Sequence, residues 1–272
     1  MMDMHAAAVS LPAPLSRISH NISRMDGFVG QAKALGARII CFPEASITGY
    51  TTGENAEEYA IAIDSEPVRY LKDSARRHGV MILGGLLEKG GQGNVYLTHL
   101  AIDPDRHVNI YRKLYTAPPE QKVFARGECI PVFRWCGLTF GIQLCYDAHF
   151  PELTTEMALQ GVDVVFIPHA SPRGTSEQKF QSWMRHLRAR AFDNGIYIIA
   201  CNQCGENGGG LTFPGVVVMI DPSGEVVASD TGGREAMVTA KLSHQVLAGV
   251  RNHRMRYFLP NRRPELYSRG DK

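Results

Sequence analysis

Gly141-Ile142-Gln143-Leu144 runs directly into Cys145-Tyr146-Asp147, and two other stretches share its design. Arg38-Ile39-Ile40-Cys41-Phe42-Pro43 leads to Glu44, and Val108-Asn109-Ile110-Tyr111-Arg112 leads to Lys113. Each run is short, rich in β-branched or large apolar residues and bounded by turn signals, so each reads as a buried strand. In α/β proteins, chemistry gathers in the loops just past the carboxyl ends of such strands. A carboxylate, an ammonium and a thiol delivered this way are expected to form a catalytic trio. The chain therefore reads as a cysteine-nucleophile hydrolase.

Outward from these runs, strand and helix alternate. Strands are expected over 4–9, up to Phe42, over 80–87, 95–102 and 108–111. An amphipathic helix over 18–35 ends at Gly36, and one over 65–78 ends at Gly79. The second half reads as strands over 138–144, 162–167, 196–201, 216–220, 225–229 and 236–241. Pro151 suits the first turn of a helix running to Gln160, and 176–194 forms a long helix with Phe180, Trp183, Leu187 and Ala191 on one stripe. No linker interrupts the pattern, so residues 1–272 read as one domain. The strands outnumber what one doubly wound sheet needs, and two sheets packed face to face with helices outside would hold them all.

The 272 residues are 44% hydrophobic, enough for a sizeable core. A formal charge of +2 implies no dedicated polyanion partner. No apolar run is long enough to span a bilayer, and the first residues lack a basic leader before an apolar segment, so a cytoplasmic protein is expected. Six cysteines (Cys41, Cys129, Cys136, Cys145, Cys201, Cys204) do not resemble a secreted disulfide framework, and a reducing compartment keeps a thiol nucleophile usable.

An unperturbed thiol is only about 3% ionised at neutral pH, so a nucleophilic Cys145 wants a base or a positive field. Glu44 is placed to take the thiol proton and later deliver it to a leaving nitrogen. Lys113 is placed to stabilise an oxyanion, with the backbone N–H of Tyr146 as a second donor; such donors are worth about 2.7–4 kcal/mol each.

The flanking words carry a resemblance. Phe42-Pro43-Glu44 with Thr48-Gly49-Tyr50, Tyr111-Arg112-Lys113, and Leu144-Cys145-Tyr146-Asp147 with Phe150-Pro151-Glu152 resemble the three signatures of the nitrilase superfamily of carbon–nitrogen hydrolases. The likeness continues through Arg190-Ala191 and Asp193-Asn194 to Asp221-Pro222 and an Arg263-Pro264-Glu265-Leu266-Tyr267 tail. It implies a four-layer α-β-β-α sandwich, assembly into homodimers or larger homo-oligomers, and a Cys acyl-enzyme mechanism with no metal or cofactor. By the same resemblance Cys145 is the nucleophile, Glu44 the general base, Lys113 the oxyanion cation, and Glu120, seven residues past the Lys, an orienting carboxylate.

True nitrilases of this superfamily typically carry Trp-Glu after the nucleophile. Tyr146-Asp147 instead resembles the amidase and carbamoyl-hydrolase branches, so the substrate is expected to be a small amide or ureido compound. Carbamoyl-amino-acid hydrolases often place Arg just past the Cys; this chain has Ala148 and His149 there. Tyr50, His149, His169 and Arg173 are the candidate substrate contacts. A papain-like pairing of Cys145 with His149 or His169 would need neither Lys113 nor Glu44. Cys201-Asn202-Gln203-Cys204 has redox or metal spacing, yet no second pair completes a zinc site and strand-end cysteines fit better. The basic tail from Arg251 to Arg269 is interrupted by Tyr257-Phe258-Leu259-Pro260, which favours packing on the domain or a partner subunit over binding nucleic acid. A catalytically inert scaffold of the same fold is the alternative of a different class.

Overall fold

A computed structural model describes residues 3–266, so the last residues of the tail, Tyr267 and Arg269 among them, lie outside the described residues. The chain opens with β1 (Met4–Ser10), α1 (Ile18–Ala34), β2 (Ile39–Cys41), α2 (Glu66–His78), β3 (Met81–Lys89), β4 (Val95–Ile102) and β5 (Val108–Arg112). It continues with β6 (Phe133–Trp135), β7 (Leu138–Ile142), α3 (Pro151–Leu159), β8 (Val164–His169), α4 (Ser176–Asn194) and β9 (Tyr197–Asn202). The last elements are β10 (Cys204–Glu206), β11 (Thr212–Pro214), β12 (Val217–Ile220), β13 (Val226–Asp230), β14 (Ala236–Leu242) and α5 (His244–Arg251).

Two six-stranded mixed sheets result, ordered β14-β1-β2-β3-β4-β5 and β13-β12-β9-β8-β7-β6. Each has a parallel trio at its centre, β1-β2-β3 and β7-β8-β9, with antiparallel strands outside it. The period-2 alternation of the strands assigns their faces. Ala6, Ala8, Ile39 and Cys41 point into the core shared with the second sheet, whereas Ala7, Val9 and Ile40 point towards Met25, Val29, Val68 and Leu71 of α1 and α2. On the far side, Leu153 and Met157 of α3 and Trp183, Leu187 and Ala191 of α4 join the core built on β7, β8 and β9. The order of layers is α-β-β-α, as the resemblance implied.

Helix ends follow local chemistry. Gly79 and Gly195 close α2 and α4 in the left-handed conformation, and Thr175 caps α4 by accepting from the Gln178 N–H. The strand expected over 138–144 ends at Ile142, because Cys145–His149 coils into a 3-10 turn. Three elements were not anticipated: the edge strand β6, the short β10-β11 hairpin and α5. At the end of α5 Arg251 pairs with Asp163 at 3.0 Å, and beyond the helix Phe258 packs on Phe192, so the chain folds back on its own body.

Candidate active site

Glu44, Lys113 and Cys145 follow the carboxyl ends of β2, β5 and β7, and the two sheets bring those ends together. Lys113 Nζ lies 2.9 Å from Glu44 Oε1 and 2.8 Å from Glu120 Oε1, with all three side chains shielded from solvent. The remaining carboxylate oxygens are also held: Glu44 Oε2 accepts from the Ala170 N–H (2.9 Å), and Glu120 Oε2 accepts from the Ala117 N–H (2.7 Å). The Tyr50 hydroxyl donates to Glu120 Oε1 at 2.7 Å. Tyr50, read from the sequence as a substrate contact, therefore spends its hydroxyl on positioning Glu120. Cys145 is partly accessible beside this cluster.

The backbone turns that present these side chains are unusual. Cys145 has φ +46° and Ala45, just after Glu44, has φ +53°, a region that side-chain-bearing residues seldom occupy. Close packing on the strand beneath enforces the Glu44 turn, since a Cβ on Gly85 would lie 2.4 Å from the Ala45 nitrogen. Gln203 Nε2 donates to the Glu44 carbonyl at 2.7 Å and fixes the turn from the second sheet.

Asp147 is the residue whose importance the sequence did not reveal. It is completely buried and accepts from the Leu144 N–H (2.8 Å), the Tyr115 N–H (2.8 Å) and the Tyr111 hydroxyl (2.7 Å). One carboxylate thus staples the Cys145 turn to the segment that carries Lys113. The signal was present in the words Tyr111-Arg112-Lys113 and Cys145-Tyr146-Asp147, which place one partner on each side.

The electrostatics follow from burial and pairing. Burial pushes Glu44 up and Lys113 only partly restores it, while Glu120 adds repulsion, leaving Glu44 at about 7. Burial opposes the Lys113 charge, but Glu44 and Glu120 outweigh it and hold the ammonium firmly protonated. Burial and the Glu44 charge push the Cys145 thiol up, against the pull of Lys113. The resting site is therefore a thiol beside a carboxylate that is half-protonated near neutrality. Such an arrangement supports nucleophilic attack with the proton passed to Glu44.

The other sequence candidates surround this centre. His169 is buried, with Nδ1 2.7 Å from the Ile167 carbonyl and its ring 4.2 Å from that of Trp183. His149 is exposed, its ring 5.6 Å from Tyr146 and 4.7 Å from His186. Arg173 is exposed, in a left-handed turn with φ +77°. Cys201 packs against Cys41, sulfur to sulfur 3.9 Å, rather than forming a reactive pair with Cys204. Among the described residues, Asp103, Asp105 and His107 could meet around a metal ion; they lie on the β4–β5 turn, and none belongs to the trio. Nor is any helix among the described residues long and apolar enough to cross a membrane.

Comparison with known proteins gives this geometry a context. The carbon-nitrogen hydrolase family model matches residues 5–252. A 2-oxoglutaramate amidase of Bacillus subtilis is 31% identical over 237 residues, covering 86% of this chain and 88% of that protein. A nitrilase of Pyrococcus abyssi is 27% identical over 253 residues, covering 92% of this chain and 93% of that protein. Among solved structures, a variant of the Nesterenkonia amidase carries the acetamide moiety of fluoroacetamide covalently on its active-site cysteine. It superposes with a TM-score of 0.82 at 26% identity, over 97% of this chain and 95% of that one. With matching layers, three signature loops converging on one centre and a family match over nearly the whole length, the chain belongs to the carbon-nitrogen hydrolase family.

Proposed function

We propose that the protein is an amidase that hydrolyses a small amide through an acyl-enzyme on Cys145. The observation that carries this reading is the Glu44–Lys113–Glu120 cluster, in which one ammonium is held by two buried carboxylates beside a thiol. Cys145 Sγ gives its proton to Glu44 and bonds to the amide carbon. The carbonyl oxygen becomes an oxyanion facing Lys113 Nζ and the Tyr146 N–H, donors whose full value is realised only once charge develops. As the tetrahedral species collapses, Glu44 delivers its proton to the nitrogen and the C–N bond breaks, releasing ammonia or an amine. Water then adds to the thioester carbon, its proton taken by Glu44 with Glu120 orienting it, and the acid leaves as Cys145 recovers its proton.

Tyr146-Asp147 after the nucleophile favours amides over nitriles, and N-carbamoyl compounds remain the second class to test. The exposed apolar side chains of Leu159, Phe192, Phe258 and Met255 support a homo-oligomer as the working assembly, and six free cysteines suit the cytoplasm. The experiment is ammonia release over primary amides, N-carbamoyl amines, N-carbamoyl amino acids and nitriles, with Cys145→Ala alongside. Cys145-dependent release strongest on amides is expected. Release unaffected by Cys145→Ala, or a folded protein inert on every class, would overturn the reading.

A further inference from the structure

The hairpin of β10 and β11 belongs to neither large sheet. It leaves β9 through Gln203, whose side chain holds the Glu44 carbonyl, and returns through Gly215, whose N–H donates to the Gln203 carbonyl at 3.1 Å. Its tip, Glu206-Asn207-Gly208-Gly209-Gly210, is exposed at every position but one: Asn207 is 1% exposed. A buried amide at the end of a glycine-rich turn calls for a physical reason, because polar atoms taken out of water are costly unless they are paired.

Each polar atom of Asn207 is engaged. Oδ1 accepts from the Gly209 N–H (2.9 Å) and the Leu211 N–H (3.1 Å), which closes the turn. The backbone N–H donates to the Leu211 carbonyl (3.0 Å), and the backbone carbonyl accepts from the Leu15 N–H (2.8 Å). Nδ2 does nothing for the turn; it donates to the Tyr50 carbonyl at 2.8 Å. Leu15 also lies against Gly49, where a Cβ would come within 2.9 Å of its backbone nitrogen, so the chain at Tyr50 is wedged between the segment after β1 and the hairpin tip. Phe213 of β11 meets the Tyr50 ring edge-on, centroids 6.4 Å apart. The hairpin therefore grips Tyr50 at its main chain and at its ring.

Tyr50 carries that grip into the centre. Its hydroxyl donates to Glu120 Oε1, the same oxygen that Lys113 Nζ reaches. One half of the Asn207 amide thus shapes the hairpin, and the other half starts a series that runs through Tyr50 and Glu120 to the catalytic ammonium.

We infer that Asn207 is a positioning residue of the catalytic centre, holding Glu120 on Lys113 through Tyr50. This rests on the amidase reading above, in which Glu120 orients the reacting groups.

The test uses Asn207→Asp, which is isosteric and keeps an acceptor for Gly209 and Leu211 but sets a carboxylate oxygen against the Tyr50 carbonyl. A catalytic group displaced by about 1 Å costs up to about 10², so kcat should fall by about 10- to 100-fold while KM changes by no more than about threefold. The decisive measurement is the cycle with Tyr50→Phe, which lacks the hydroxyl on Glu120. In that background Asn207→Asp should cost no more than about twofold further. Equal losses in the two backgrounds, a loss confined to KM, or an unchanged kcat would overturn the inference. If Asn207→Asp fails to fold, Phe213→Leu loosens the Tyr50 ring without touching the turn, and its loss of kcat should likewise vanish in Tyr50→Phe. Alkylation by iodoacetamide, followed at Cys145 by peptide mass spectrometry, reads the same link without turnover. The Glu120 charge opposes ionisation of the Cys145 thiol, and without the Tyr50 hydroxyl more of that charge faces it. Alkylation should slow in Tyr50→Phe and in Asn207→Asp, and no further in the double variant. Additive slowing, or a rate unchanged by Asn207→Asp, refutes the inference, even if the absence of ammonia release from every amide refutes the amidase reading.

Discussion

Replacing Lys113 with methionine tests the centre most directly, because the side chain keeps its length and loses its charge. Glu44 and Glu120 lie 2.9 and 2.8 Å from the same nitrogen, so its removal leaves two buried carboxylates facing each other. The repulsion between them is already part of the wild-type balance, so what the variant loses is the attraction of the ammonium, about 4 kcal/mol for charges about 4 Å apart at an effective dielectric constant of about 20. That is worth about 3 pKa units, so Glu44, already at about 7, takes up a proton and stays neutral well above neutrality. Loss of the proposed oxyanion donor costs about 10²–10³ in rate. Protonation of the base at pH 8 adds a further factor of about 10², so kcat/KM should fall by about 10⁴–10⁵. The acid limb of the pH–rate profile should move upward by about 3 units with it. Stability carries the same signature. Folded carboxylates that hold protons released by the unfolded chain above about 4.5 make the variant less stable as pH rises, the reverse of an ordinary salt-bridged acid. Ammonia-release kinetics from pH 6 to 9, together with thermal melts over the same range, measure both effects. A loss below tenfold at pH 8, or an acid limb that stays in place, would refute this account of Lys113.

Four further outcomes follow from the same geometry. In wild type, kcat/KM should rise as pH increases through about 7, since Glu44 must be ionised to take the thiol proton; Glu44→Gln should abolish both turnover and that limb. Asp147→Asn cannot accept all three of its bonds in the same form, so activity should fall about 10- to 100-fold and the melting temperature should drop, with unchanged values counting against the staple. Tyr50→Phe should lower kcat more than it raises KM, because its hydroxyl serves Glu120; a pure KM effect would return Tyr50 to the substrate. Gly85→Ala should destabilise by about 1–3 kcal/mol in denaturant titration and depress activity, because its methyl group meets the Ala45 nitrogen.

The parts of this fold that were legible in the sequence are those with a periodic or chemical signature. Ala6 and Ala8 against Ala7 and Val9 already imply a strand covered on both faces, and the runs before Glu44, Lys113 and Cys145 imply strands that deliver side chains to one end of the sheets. The edge strand β6 and the β10-β11 hairpin carry only three residues per strand, too few to establish a period. Asp147 was quoted as part of a signature, but its task depends on Tyr111 and Tyr115, more than thirty residues earlier, and no local rule joins them.

The resting thiol and the raised Glu44 belong to one electrostatic arrangement. Glu44, Glu120 and Lys113 ionised together carry one net negative charge in a buried space, and burial with the Glu120 repulsion brings Glu44 to about 7. Ionising Cys145 by loss of its proton to solvent would add a second negative charge, which is why burial and Glu44 hold the thiol up. Passing that proton to Glu44 moves the charge without adding to it. In the proposed mechanism the thiolate then faces Lys113 with the adjacent carboxylate neutralised, and the attacking form is reached by a transfer inside the cluster. An alkylating agent that measures free thiolate should therefore react slowly with the resting enzyme at pH 7. In Glu44→Gln the repulsion is gone but so is the acceptor, so alkylation should accelerate while amide turnover is lost. Parallel loss of alkylation and turnover would show instead that Glu44 generates a standing thiolate, and the internal-transfer argument would fail.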